Sequence, residues 1–390
     1  MGKFKRELSS RLRKAARQFS AVILTGPRRA GKTHLLRHCF PRASYHLLES
    51  PDVLARVKED PRGWLESLAL PAIIDDVQNA PELFPWIRSF IDAQPRATGR
   101  WLLTGSHDYS LMANATESMA GRAAVFQLLP LSFRELGRWN LLRGSYPEVW
   151  LRPSAAATWF ESYLQTYVER DVRQVHAVKD LLTFRRFVSL VASRHGQVLN
   201  RSDLAAPLGI SVPTVSQWLS TLEVTGLIAL IPPYFENFGK RLTKSPKLYW
   251  LDSGLVCHLL GISTPGQLER SPFLGPVFEG FVAAELIKNQ INLGRRRELY
   301  YFRDERGLEV DFVEPAPGGK LRLLEVKWAK TVMPVDAKSM KELQRVMGGE
   351  RAQGIVVHRS PKTGPGTEVV TAGVSAQGLE TFLRASGLRA

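Results

Sequence analysis

The sequence predicts an α/β protein: a parallel sheet covered by helices on both faces, then a mainly helical region, then a small α/β unit. Three observations predict it. Apolar runs rich in β-branched residues recur at Val22-Ile23-Leu24, Ala72-Ile73-Ile74, Arg100 to Leu103 and Ala123 to Leu128, with helical patterns between them. Continuous apolar runs of this kind suit strands buried on both faces. From Ser154 to Gly261 the apolar residues fall instead at helical spacing, and after Pro276 a helical pattern is followed by the strand runs ELYYFR, LEVDFVE and LRLLEVKWA. The expected domains are 1–150, 151–265 and 266–390.

The first strand leads into Gly26-Pro27-Arg28-Arg29-Ala30-Gly31-Lys32-Thr33, and helix-forming residues follow. This is G-x-x-x-x-G-K-[ST] between a strand and a helix, the context that makes it a P-loop. Its glycines let backbone N–H groups turn around phosphate oxygens, helped by the positive end of the helix. Lys32 is expected to reach the β/γ-phosphates, and Thr33 to offer its hydroxyl to Mg²⁺. The expected ligand is therefore ATP with Mg²⁺, on a P-loop NTPase sheet.

SYHLLE (Ser44 to Glu49) reads as a second strand, and two helical patterns fill Pro51 to Ala69. The strand Ala72-Ile73-Ile74 ends in Asp75-Asp76. Asp75 takes the Walker B role of holding Mg²⁺. Asp76 takes the role of orienting and deprotonating the attacking water, where a glutamate is usual. One methylene less draws that carboxylate back by about a bond length, which predicts slow or partner-dependent hydrolysis. Thr104 and Ser106, at the end of the next strand, are candidate γ-phosphate sensors. Arg122 is either an arginine finger across a subunit boundary or half of a structural ion pair. One strand lies between the P-loop and Walker B strands in sequence, which points to the additional-strand class of NTPase.

Phe160 to Val172 and Leu181 to Ser193 are expected helices. A short helix (Ser202 to Leu208) then meets Gly209, and Ser211 is a good N-cap for a second helix. There Val212, Val215, Leu219 and Leu222 are expected inside, leaving Thr214, Gln217, Ser220 and Thr221 outside. LIALIPPY and NFGKRLTKSPKLYWLD supply two strands joined by a basic turn carrying Lys240, Arg241, Lys244 and Lys247. The pattern is a winged helix, read either as a DNA-binding element or as a packing module.

Pro276 to Ile291 is an amphipathic helix carrying Glu279 and Glu285. Period-two geometry puts Glu325 and Lys327 on one sheet face, and Asp311 on the adjacent strand is placed to share a divalent cation with Glu325. Such an ion with Lys327 would activate a water against a phosphodiester. The alternative is a surface ion-pair cluster. The tail beyond Ser360 reads as loop until a short helix near Leu379 to Ala385.

A net charge of +16 favours a polyanionic partner such as nucleic acid, and an apolar content of 44% suffices for several cores. Only two cysteines occur, Cys39 and Cys257, so a disulfide framework or cysteine zinc site is not expected and a reducing cytoplasm is. No apolar run reaches membrane-spanning length. The basic N-terminus, with Phe4, Leu8 and Leu12 on one helical face, either packs on the next domain or touches nucleic acid.

At these residues the chain resembles a bacterial and archaeal family of AAA-type ATPases that fuse a P-loop domain to a winged helix and a restriction-endonuclease-like region. TGPRRAGKTHLL, IIDDVQ, LLTGSHDYSLM, YVERDV, KSPKLYWLDSGL, FEGFVAAEL, EVDFV and LEVKWA carry the resemblance, which runs from about Phe19 to Ser360. It implies an ATP-hydrolysing, DNA-processing protein, with ring-like homo-oligomers of the AAA type. Asp311, Glu325 and Lys327 match the D and E-x-K positions of the PD-(D/E)xK nuclease superfamily, Glu279 matches its helix-borne acid, and Gln344 its polar helix residue. Val310 stands where the motif's name has proline. The alternative reading is an ATP-dependent binding switch whose nuclease-like domain recognises DNA or a protein without cutting.

Overall fold

The computed structural model describes residues 4–105, 119–168, 180–234, 244–347, 351–359 and 367–386. Its first sheet has the order β2-β3-β4-β1-β5, from β1 (Ala21–Thr25), β2 (Ser44–Leu47), β3 (Ala72–Asp75), β4 (Trp101–Thr104) and β5 (Ala123–Gln127). All pairs are parallel. Every residue of β1, β3 and β4 is buried, as expected of strands covered on both faces. The later strand β4 inserts between β1 and β3. The ends of β1, β4 and β3, where the P-loop, Thr104 and Asp75 lie, are thereby brought side by side.

The basic N-terminal helix, Ser9–Ala16, packs on this sheet: Leu8, Leu12, Ala15 and Ala16 join Val22, Leu24, Leu36, Ile73 and Leu102 in one core. Its cationic residues occupy the other face.

A three-stranded antiparallel sheet follows, with order β6-β8-β7, from β6 (Gln197–Val198), β7 (Ile228–Ile231) and β8 (Lys247–Trp250). Helices Leu181–Ser193, Arg201–Ala205 and Val212–Val224 pack with it. Ser211 caps the last of these, its hydroxyl accepting from Thr214 N at 3.2 Å. Two expectations for that helix fail. Val212 is exposed, because the first turn projects beyond the packed face. Thr221 is buried, its hydroxyl satisfied by Gln217 O at 3.0 Å, and Trp218 fills the core in place of Val212. Lys247 is also misplaced by the sequence reading, since it opens β8 and is buried.

The third sheet has the order β13-β14-β12-β11-β10-β9, from β9 (Tyr300–Arg303), β10 (Glu309–Ala316), β11 (Lys320–Lys327), β12 (Ala352–His358), β13 (Thr367–Thr371) and β14 (Val374–Gly378). The tail expected to be loop thus supplies two strands, β14 pairing parallel to β12 and antiparallel to β13. Residues 232–234 run beside β9: Tyr301 N donates to Pro232 O (3.1 Å) and Tyr234 N to Tyr301 O (2.7 Å). The helix Leu274–Asn292 is buried over most of its surface, because one apolar cluster wraps it with residues running from Leu129 through the three-stranded unit to Leu383. No helix among the described residues is long and apolar enough to cross a membrane.

Candidate functional site

After β1 the chain turns at Gly26, whose φ of 140° and contact with the residue after β5 both demand glycine; a Cβ there would stand 2.1 Å from Leu128 O. Gly31 (φ 98°) closes the loop and starts the helix Lys32–Cys39. The Lys32 ammonium curls over the loop, donating to Gly26 O (2.9 Å) and Pro27 O (3.1 Å). These are contacts that phosphate oxygens can replace. Arg28 pairs with Glu49 at 3.1 Å. Pro27, Arg29 (φ 61°) and Ala30 complete the loop.

Asp75 is the hub beside it. One carboxylate oxygen accepts from Thr33 (2.7 Å) and Tyr45 (2.8 Å), and the other accepts from Thr104. Burial, then the Asp75 bond, pushes the Tyr45 phenol up, so it remains a donor. Asp76 takes a left-handed backbone (φ 58°), which aspartate tolerates better than most residues. Gln78 Nε2 donates to it at 3.0 Å, and burial raises its carboxyl above the usual range. Ser106 lies outside the described residues.

The P-loop and the two aspartates face a cleft of about 410 Å³ whose lining includes Arg28, Lys32, Thr33, Asp75 and Asp76 together with Phe4, Leu131, Pro147 and Leu151. The adjoining hydroxyl of Thr33 and carboxylate of Asp75 form a hard-oxygen donor set that suits Mg²⁺. Arg122 is elsewhere. It precedes β5 at the opposite end of the strands and pairs with Asp92.

Sequence reasoning missed the supports. Arg6 is buried under the P-loop, donating to Ala30 O (2.7 Å), Leu129 O (2.6 Å) and Glu135 (2.9 Å). Glu285 accepts from Phe133 N (2.6 Å) and from Lys288 (2.9 Å), and Lys288 also donates to Leu131 O (3.1 Å). This buried pair ties the long helix to a loop that lines the cleft. No local motif signals either device, because their partners are distant in sequence.

In the three-stranded unit Gln217 and Lys244 are exposed, Ser220 is half-buried, and the Thr214 hydroxyl is shared with that of Ser211 at 2.8 Å. Lys240 and Arg241 lie outside the described residues.

The second acidic centre lies where β10 and β11 meet the long helix. Phe312 pairs with Leu324, which sets Asp311 across from Glu325. Asp311 accepts from Val326 N at 2.8 Å, and Glu325 pairs with Lys327 at 2.8 Å. The Lys247 ammonium enters from β8, 3.3 Å from Glu279, 3.9 Å from Asp311 and in contact with Glu309. Tyr249 OH donates to Glu279. Burial and then the Asp311 charge push Glu279 up to about 7 and Glu325 up to about 8, against the pull of Lys247 and Lys327 respectively. Burial likewise raises Asp311. Among the described residues no three His, Cys, Asp or Glu side chains are placed to hold a metal together. Each of the two acids expected to share a divalent ion is paired with a lysine, Asp311 with Lys247 and Glu325 with Lys327. Gln344 is not near it either: its amide donates to Ala352 O (2.9 Å) and Gly373 O (3.0 Å), beside Leu321 at the far end of β11.

With this geometry in view, residues 18–137 match the model of an AAA domain. Residues 135–266 and 274–374 match two domains of unknown function, DUF8612 and DUF4143. Two uncharacterized proteins, Rv2008c of Mycobacterium tuberculosis and Mb2031c of Mycobacterium bovis, are each 35% identical to the chain over 349 residues, covering 86% of it and 76% of themselves. The chain belongs to their family. Among solved structures, a Walker-type ATPase of Pyrococcus abyssi is similar over 65% of this chain and 94% of its own, at 15% identity and a TM-score of 0.44. A RuvB mutant of Thermotoga maritima is similar over 57% and 87%, at 18% identity and a TM-score of 0.28. The AAA-domain match and the P-loop geometry together make the N-terminal part of this family member a P-loop ATPase domain, a fold that implies nucleotide binding.

Proposed function

We propose that the protein binds and hydrolyses Mg-ATP and uses it to act on nucleic acid through the unit spanning residues 181–250. The observation that carries the nucleotide reading is the convergence of Thr33, Tyr45 and Thr104 on Asp75 beside Lys32. Lys32 and the loop N–H groups hold the phosphates, while Phe4, Leu131, Pro147 and Leu151 offer apolar surface to the base. Thr33 and Asp75 would hold Mg²⁺, which supplies charge neutralisation of the β- and γ-oxygens. Asp76, its carboxyl raised by burial and steadied by Gln78, accepts the proton of the attacking water. Thr104 keeps Asp75 in place and stands where a γ-phosphate would report its presence or loss.

We read the three-stranded unit as a winged helix, and the sequence between β7 and β8, which carries Lys240, Arg241 and Lys244, as its phosphate-contacting element. Gln217 and Thr214 offer no bidentate guanidinium fork, so binding is non-specific or structure-guided. Arg122 pairs with Asp92, and we read it as half of a structural ion pair. Steady-state ATP hydrolysis with and without single-stranded, duplex and branched DNA tests the proposal, with Lys32→Ala as the blank. DNA-stimulated turnover is expected, and its absence at saturating DNA rejects the nucleic-acid reading. Anisotropy against salt isolates the turn. Three lost contacts in the Lys240/Arg241/Lys244→Ala variant flatten the slope by about 2 to 3 units.

A further inference from the structure

The acidic centre between β8, β10, β11 and the long helix already contains a cation supplied by the chain. We propose that Lys247 is the resident counter-ion of Glu279, Glu309 and Asp311, standing in the place of a divalent metal and excluding one. The inference is independent of the nucleotide site.

Position comes first. The ammonium lies 3.3 Å from Glu279 and 3.9 Å from Asp311, touches Glu309, and sits 5.6 Å from the Tyr301 ring centre. A divalent ion needs several oxygens converging at about 2.0–2.6 Å. Here Asp311 gives one oxygen to Val326 N and turns the other toward Lys247. The same Glu279 oxygen faces Lys247 and Tyr249. A metal among these oxygens would stand against the ammonium.

Confinement comes second. Lys247 belongs to the central strand of its sheet, paired with Val198 on one side and Ile231 on the other, and its side chain is 3% exposed. Its neighbours Ser245 and Tyr249 are anchored by Tyr301 and Glu279. The backbone of Lys247 is thus fixed by strands on both sides, and burial holds its ammonium among the acids.

The third observation is what the lysines leave unfilled. Lys327 satisfies one oxygen of Glu325, while the other, Oε2, is buried without a partner, in a residue 8% exposed. Arg303, 3.5 Å from Glu309, is a further cation beside the cluster. Removing Lys247 would therefore leave Glu279, Asp311 and the free oxygen of Glu325 short of positive charge, and the centre should then accept a metal.

Mn²⁺ binding, counted by electron paramagnetic resonance on the nucleotide-free full chain, tests this. In the wild type, no Mn²⁺ bound below about 1 mM should be lost on Asp311→Asn. Lys247→Ala should gain one site, bound at least about tenfold tighter than any wild-type site that depends on Asp311, and Lys247→Ala/Asp311→Asn should lose it. A wild-type site abolished by Asp311→Asn overturns the proposal, as does a Lys247→Ala protein that binds fluorescent ATP normally yet gains no site. Should Lys247→Ala fail to fold, the comparison of wild type with Asp311→Asn still decides, and Mn²⁺-dependent DNA cleavage lost only in Asp311→Asn overturns it equally.

Discussion

Lys288→Met tests how the long helix is fastened to the nucleotide-binding domain. Lys288 and Glu285 are 2% and 5% exposed, and each polar atom of the pair has a partner in the loop Leu131 to Phe133 or in the other side chain. Methionine keeps the length and most of the volume, so a cavity contributes little. What remains is a buried Glu285 carboxylate stripped of its cation, and such broken pairs cost about 3–5 kcal/mol. Adding Glu285→Gln removes the uncompensated charge while the amide oxygen still accepts from Phe133 N. The double variant should therefore return to within about 1 kcal/mol of the wild type. Equilibrium urea unfolding by tryptophan fluorescence gives the cycle, and hydrogen exchange of the peptide covering residues 129–136 gives the local response. Faster exchange in that peptide should accompany the single substitution and reverse in the double. A single variant costing less than about 1 kcal/mol, or a double variant as unstable as the sum of both singles, refutes the reasoning.

Three further outcomes are expected. Thr104→Val removes a donor to Asp75 and should lower ATP turnover about 10–100-fold with little change in nucleotide affinity; equal rates would take Thr104 out of the site. Asp76→Glu should cost about 1 kcal/mol, because glutamate loses the short polar side chain that makes a left-handed backbone tolerable, and a variant as stable as the wild type by thermal unfolding contradicts this. Glu279 and Glu325 have carboxyl pKa values raised to about 7 and about 8, so their contribution to stability is full below the usual carboxylate pKa and is lost as pH rises through those values. The melting temperature should fall between about pH 5 and pH 9, at up to about 1.4 kcal/mol per pH unit for each group, and Glu325→Gln should flatten the fall. A melting temperature that climbs over that range would show the acids to be held ionised.

The nucleotide-binding half was legible because its chemistry is local. The glycines, Lys32 and Thr33 lie within one turn of chain, and the strand delivering Asp75 is an unbroken apolar run. Lys247 was misread for the opposite reason. Next to Lys244 it reads as one more cation of a basic turn, and only the fold brings Glu279, Glu309 and Asp311 to it from later elements. Arg6 was hidden likewise, its partners on the P-loop and after β5. The strands β13 and β14 were missed because VTAGVSAQG alternates small and polar residues, and only Val374 and Ala376 mark the buried face. Polarity alone points Thr221 outward, although a hydroxyl that bonds back to its own helix can be buried at little cost.

The run of residues 232–234 along β9 bears on how this protein can be taken apart. β9 is the last strand of its sheet, and without that covering its row of N–H and C=O groups, with Tyr301 and Phe302 alongside, would be a template for strand addition by other chains. A fragment that starts after residue 252 uncovers this row; one that stops at residue 250 strands Tyr234 without its acceptor. Either piece invites aggregation for reasons unrelated to its activity. The roles of the three units are therefore better separated by substitutions in the intact chain than by truncation.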